Sequence, residues 1–264
     1  MRLPFVVPLC LAGIALVGCS SSANAPHVPA QPTPPVFTEH VVVMLQDGQP
    51  MEEVAYQKML ARCHADGTPT QALTIDQQAY LGRRMIQTWQ APNRFAQHIS
   101  EWHQDTPGNC QFGLRKLETV IVHAQDNQVY RLDLTSGKGS AVAGRPIAPH
   151  VAQTDQDIAL SSTAHDNGWA DPATVSVDGQ PGLVWQSPTG EQVCVWKGGM
   201  AYGYSAGTDG ILGSDGTPTP LGGIVLWSKP AKGNGWQVTA SRVVVGQPIP
   251  PSVFEKPAGA TVVP

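Results

Sequence analysis

Gln128-Val129-Tyr130-Arg131-Leu132-Asp133-Leu134 alternates at every step. Val129, Arg131 and Asp133 fall on one side, and Tyr130, Leu132 and Leu134 on the other. A period of two marks a strand with one wet face. The run before it, Leu114 to His123, is also strand-like, and Ala124-Gln125-Asp126-Asn127 supplies the turn between them. Alternation recurs at Ala173–Val177, Gly182–Gln186, Gln192–Trp196, Met200–Tyr204, Ile224–Ser228 and Trp236–Val245. Asp178-Gly179, Ser187-Pro188-Thr189-Gly190 and Lys232-Gly233-Asn234-Gly235 punctuate these runs. Met85–Gln90 and Arg94–Trp102 flank Ala91-Pro92-Asn93 in the same way. Short strands at this interval predict a mainly β (α+β) chain built on a meandering antiparallel sheet, either a barrel or a curved half-barrel.

Two short helices are expected beside the sheet. Pro50-Met51-Glu52-Glu53 suits a helix start, with proline and acids in the first turn. Met51, Val54, Ala55, Met59 and Leu60 then share one face, and His64 to Gly67 ends the helix. Thr74 and Gln77 form a capping-box pattern for a second helix reaching about Arg84. Residues 149–171 lose the alternation and read as a short helix or a long loop.

The first residues carry a different signal. Met1-Arg2 precedes an apolar run from Leu3 to Gly18, the form of a secretory leader. The run holds Pro4 and Pro8 and is short of the roughly 20 residues that a spanning helix needs. Leu16-Val17-Gly18-Cys19 resembles the bacterial lipobox. That resemblance implies cleavage after Gly18, diacylglycerol on Cys19 and further acylation with palmitate-like chains. Two or more acyl chains give stable anchoring where one gives marginal binding. Ser20 rather than Asp after the cysteine implies the outer membrane, with the chain facing the periplasm.

Residues 20–35 hold five prolines and no charge, so they read as an extended tether. At about 3 Å per residue it reaches up to roughly 50 Å. The expected organisation is therefore a signal peptide over 1–18, a lipidated tether over 19–35 and a β-rich domain over 36–264.

Removing residues 1–18 takes Arg2 away, leaving 15 Lys+Arg against 20 Asp+Glu, a net of −5. No basic patch is available to hold phosphates, which argues against nucleic acid as a partner. With Cys19 committed to lipid, Cys63, Cys110 and Cys194 remain. An oxidising periplasm allows one disulfide among three pairings. Nearness to turns (Ala65-Asp66-Gly67 and Pro107-Gly108-Asn109) favours Cys63–Cys110, whereas Val193-Cys194-Val195-Trp196 reads as a buried strand.

A broader resemblance rests on four segments. Trp89-Gln90-Ala91-Pro92-Asn93-Arg94-Phe95 looks like an early hairpin, and Val120 to Leu134 looks like paired strands ending in Tyr130-Arg131-Leu132-Asp133. Val175-Ser176-Val177-Asp178-Gly179-Gln180 looks like a strand before a tryptophan-bearing hairpin, here Trp196. Ile249-Pro250-Pro251-Ser252-Val253-Phe254-Glu255-Lys256-Pro257-Ala258-Gly259 looks like a closing segment. In order and spacing, residues 79–260 resemble the lipoprotein-localisation (LolA/LolB-like) superfamily. The resemblance implies a curved half-barrel closed by helices, with an apolar concave face. The Cys63 segment and the Gly-rich stretch 205–222 depart from that pattern.

No catalytic constellation stands out. Ser161, Ser162, His165 and Asp166 cluster in sequence, but without a Gly-x-Ser-x-Gly elbow. His98, His103 and Cys110 are near one another, yet His98 and His103 have opposite strand parity, so no metal ligand set is expected. No cofactor motif is present. Trp89, Trp102, Trp185, Trp196, Trp227 and Trp236 could line the concave face and take an acyl chain or other apolar ligand, or simply fill a β core. The leading expectation is an anchored, non-enzymatic envelope lipoprotein that binds an apolar ligand or a partner lipoprotein. A structural or interaction lipoprotein without ligand is the alternative. A periplasmic hydrolase would require Ser162 and His165 to meet beside a pocket.

Overall fold

Val36–Gln46 (β1) runs through the middle of a single sheet, and its apolar run Val41-Val42-Val43 suits a strand covered on both sides. The computed structural model describes residues 33–105, 109–123, 128–144, 168–202, 204, 224–256 and 261–263. Gly18, Cys19, the tether up to residue 32, the Ser161–Asp166 group and the Gly-rich 205–222 stretch lie outside the described residues, as does the Ala124–Asn127 turn.

After β1 come Gln49–Pro50 (β2), Met51–Ala65 (α1), Ile75–Tyr80 (α2), Arg83–Ala91 (β3), Arg94–Asp105 (β4) and Gly113–His123 (β5). Gln128–Asp133 (β6), Lys138–Ala143 (β7), Ala170–Val177 (β8), Gln180–Gln186 (β9) and Gln192–Trp196 (β10) follow. Lys197–Ala201 (α3), Val225–Lys229 (β11), Gly235–Val245 (β12) and Thr261–Val263 (β13) complete the set. The strand order is β13-β7-β6-β5-β4-β3-β1-β12-β11-β10-β9-β8, with β2 paired to β1. Neighbours are antiparallel except β13 beside β7. The fold is thus mainly β, a curved half-barrel sheet that does not close, with few helices. Thr33–Pro264 forms one compact unit.

Local chemistry sets the hairpins. Asp178-Gly179 links β8 to β9 with φ of 48° and 77°, the two positive values of a type I′ turn. At the β3–β4 turn, Pro92 precedes Asn93 at φ 59°, which matches proline at the first and a left-handed residue at the second central position.

The helices differ from expectation in three ways. α1 buries Tyr56 and Cys63, while Met51 and Met59 stay exposed. The reason is anchoring. Cys63 is disulfide-bonded to Cys110, with 6.0 Å between Cα atoms, and the Tyr56 hydroxyl accepts the Leu73 N–H at 2.9 Å. Those ties turn the Tyr56–Leu60–Cys63 face onto Leu73, Leu81 and Phe112. α2 keeps its capping box but ends at Tyr80, because Gly82 turns left-handed (φ 67°) and leads straight into β3. Finally, Met200–Tyr204 is not a strand. Gly198 and Gly199 lie against the Trp196 indole, where a Cβ at Gly198 would sit 2.7 Å from the ring. The chain coils there as α3, and the Tyr204 hydroxyl donates to the Pro34 carbonyl.

Candidate functional site

Residues paired directly across strands share a face, so the register defines what the inner face carries. Across β1, β3, β4 and β5 four rows follow one another: Val36–Gln90–Phe95–His123, Thr38–Thr88–Gln97–Ile121, His40–Ile86–Ile99–Thr119 and Val42–Arg84–Glu101–Leu117. In the other direction the last row continues through Val238, Ser228 and Val193 to Trp185. Val42, Ile86, Phe95, Trp185, Val193 and Val238 belong to the main core, with Ile99, Ile121 and Trp236 packed against it. The first row is wholly buried, and cover thins toward the fourth, where the Arg84 and Glu101 side chains are 21% and 25% exposed.

It is also unusually polar for a core. Thr38, His40, Thr88, Gln90, Gln97, His123 and Ser228 are all buried on it. His40 reaches across β12 to hydrogen-bond the Val225 carbonyl of β11 through Nε2 at 2.6 Å. A carbonyl only accepts, so Nε2 carries the proton and Nδ1 is the bare acceptor. That Nδ1, Gln90 Oε1, Gln97 Oε1 and Ser228 Oγ have no hydrogen-bond partner among the described residues.

The face opens at the α1 end. There Met44, Pro50, Met51, Glu52, Gly82, Arg83, Arg84, Glu101, His103 and Trp236 line a cleft of about 100 Å³. Arg84 and Glu101 sit opposite each other on β3 and β4 and form an ion pair. His103, two residues beyond Glu101 on the same face, places Nδ1 3.2 Å from Glu52 Oε1 and Nε2 3.8 Å from Glu101 Oε2. Arg84 also stacks over Trp236 at 5.5 Å. Glu52 is brought in by α1, and its position depends on Gly82: a Cβ there would lie 2.8 Å from Glu52 Cβ. One chain of charges, Glu52–His103–Glu101–Arg84, thus borders apolar walls of Met44, Met51 and Trp236.

The six tryptophans do not share one concave face, a correction to the sequence reading. Trp185 and Trp236 lie on the inner face. Trp89 pairs with Phe37 on the opposite side, with centroids 5.3 Å apart, and Trp102 stacks near Tyr80 at 5.0 Å. Trp196 and Trp227 alternate away from Val193 and Val195 and join a second cluster with Cys194 and Tyr204. The cause is period two: residues from different strands share a face only when their register positions agree.

His98 pairs with Glu118 at 3.2 Å and His103 with Glu52, so the two histidines do diverge. Among the described residues no group of three His, Cys, Asp or Glu converges to hold a metal. Cys194 is buried and free, and burial pushes its thiol up to about 11, which makes it a poor nucleophile. Among the described residues no helix is long and apolar enough to cross a membrane.

A scan against protein-family models finds no match, and a search of curated proteins finds none either.

Proposed function

We propose that the protein is a lipid-anchored envelope binding module, without catalytic activity, that takes an aliphatic cationic side chain of a partner protein in the rim cleft. Magnitude decides against a whole lipid. Ordinary small-ligand sites span about 300–1,000 Å³, and the cleft offers about 100 Å³, roughly three water volumes. That suits one side chain. Two carboxylates and two guanidiniums border the cleft; Arg84 is already held by Glu101 and Trp236, and Arg83, its neighbour on β3, has the opposite strand parity. The rim therefore favours a positive head, and Met44, Met51 and Trp236 favour a flexible aliphatic stem, the chemistry of lysine. The observation that carries this reading is an apolar cleft bordered by Glu52 and Glu101 at an open end of a largely buried face.

Hexylammonium serves as the probe. With 5-fluorotryptophan incorporated into the full chain in nanodiscs, the Trp236 fluorine resonance, assigned through Trp236→Phe, should shift saturably at millimolar hexylammonium. Glu101→Gln should weaken the effect about tenfold, the order expected for loss of a charge-assisted contact. A Trp236 signal indifferent to the ammonium would remove the reading.

The anchor is tested separately. Leu16-Val17-Gly18-Cys19 supports lipid on Cys19, and Ser20 supports the outer membrane. Cys19→Ala should move the chain from the membrane pellet to the soluble fraction. Equal sedimentation of variant and wild type would mean that lipid on Cys19 is not what holds it.

A further inference from the structure

On the opposite side of the sheet, the geometry points to a second binding site, for a medium-length alkyl carboxylate, in the groove between β1–β3–β12 and the segment after β12. Its floor is a cross-strand row: Val244, Phe37 and Trp89 stand side by side by register. Its wall is Gln247-Pro248-Ile249-Pro250, where the chain leaves β12 and turns back over the sheet. Phe254 then buries itself against Ala96 and Val122 and fixes that wall in place. The groove measures about 280 Å³, close to the lower bound of ordinary small-ligand sites.

Arg242 sets the charge of the ligand. Its guanidinium lies 5.6 Å from the Phe37 ring centroid, at the border of the groove. The acid opposite it in the next row is Glu39. Both carboxylate oxygens of Glu39 already accept hydrogen bonds, Oε2 from Gln87 at 2.8 Å and Oε1 from Ser241 at 2.7 Å, so Glu39 meets Arg242 through charge alone. No ion pair closes on Arg242 among the described residues. A planar guanidinium with open donors suits a carboxylate, while the Phe37–Trp89 pair, Val244 and Ile249 suit an alkyl body. The groove is too small for a diacyl lipid. It shares no lining residue with the rim cleft, so it stands whether or not the rim reading survives.

Hexanoate is the probe, added to the same fluorotryptophan-labelled full chain in nanodiscs, with empty nanodiscs as blank. The Trp89 resonance, assigned through Trp89→Phe, should move saturably, and hexylammonium should not move it. Arg242→Gln, an exposed change that leaves the floor intact, should weaken hexanoate about tenfold or more, the scale of a lost carboxylate–guanidinium contact. Ile249→Asp should weaken it by placing a like charge in the wall. A Trp89 signal unmoved by hexanoate, or moved equally in wild type and Arg242→Gln, overturns the proposal. Movement of Trp236 in place of Trp89 overturns it as well.

Discussion

Replacing Trp185 with Ala should lower the unfolding free energy by about 3–5 kcal/mol, the usual cost of deleting a fully buried large aromatic. Trp185 is 1% exposed and sits on β9 opposite Val193, inside the main core with Leu183, Val195 and Val225. Small repacking cannot fill the space, because a close-packed interior collapses only partly. Against a total stability of about 5–15 kcal/mol for a domain, this is a large share. Trp227 is the control. It is only half-buried and lies beside Lys229, whose ammonium is 5.2 Å from its ring. Trp227→Ala should cost clearly less. Urea denaturation checks both: the midpoint should fall much further for Trp185, with little change in slope. Equal costs would mean that Trp185 is not packed as the fold places it.

That contrast also shows what a single sequence could reveal. Alternation found β6, β9, β10 and β12, and Asp-Gly found the β8–β9 turn, because those signals are local. The central strand β1 was not legible as a strand. Val41-Val42-Val43 is apolar without a break, and a strand covered on both faces loses the period-two signature. β7, Lys138–Ala143, is an edge-side strand of small residues with almost no apolar contrast. The face of α1 was misread because its orientation is set by Cys63 and Tyr56, whose partners lie 47 and 17 residues away.

The rim cleft was the hardest part to see. Glu101 and His103 share parity on one strand, and that much was available in the sequence. Their partners come from α1 and β3, and only the register places Arg84 opposite Glu101. The abundance of tryptophan, by contrast, left a lined concave face and an ordinary β core both open, and register divided those rings between the two sides. The functional reading therefore moves from a lined concavity to two small sites, at the rim of one face and across the other.

The buried polar row has its own consequence, in pH. The His40 side chain is 1% exposed, and burial holds its pKa below the ordinary 6.5, opposed by the hydrogen bond to Val225 and the charge of Glu39. The folded protein then binds fewer protons than the unfolded chain once pH drops under about 6.5. Stability is full above that value, and falls as pH falls toward the lowered folded value, at about 1.4 kcal/mol per pH unit. Carboxylates with lowered pKa, Glu39 and Glu118, add losses in the same direction but nearer their ordinary 4.5, so their window lies lower. Glu191, raised by burial, acts with the opposite sign and above 4.5. His40→Gln separates these contributions. Its amide can still donate to the Val225 carbonyl, and it cannot titrate. Urea unfolding followed from pH 7.5 to 3 should show the slope in wild type between pH 6.5 and 5 and its loss in His40→Gln, with the carboxylate losses below pH 5 retained. The same slope in both proteins would assign the acid sensitivity to another group, and His40 would then be a structural bridge between β1 and β11 with no part in the response.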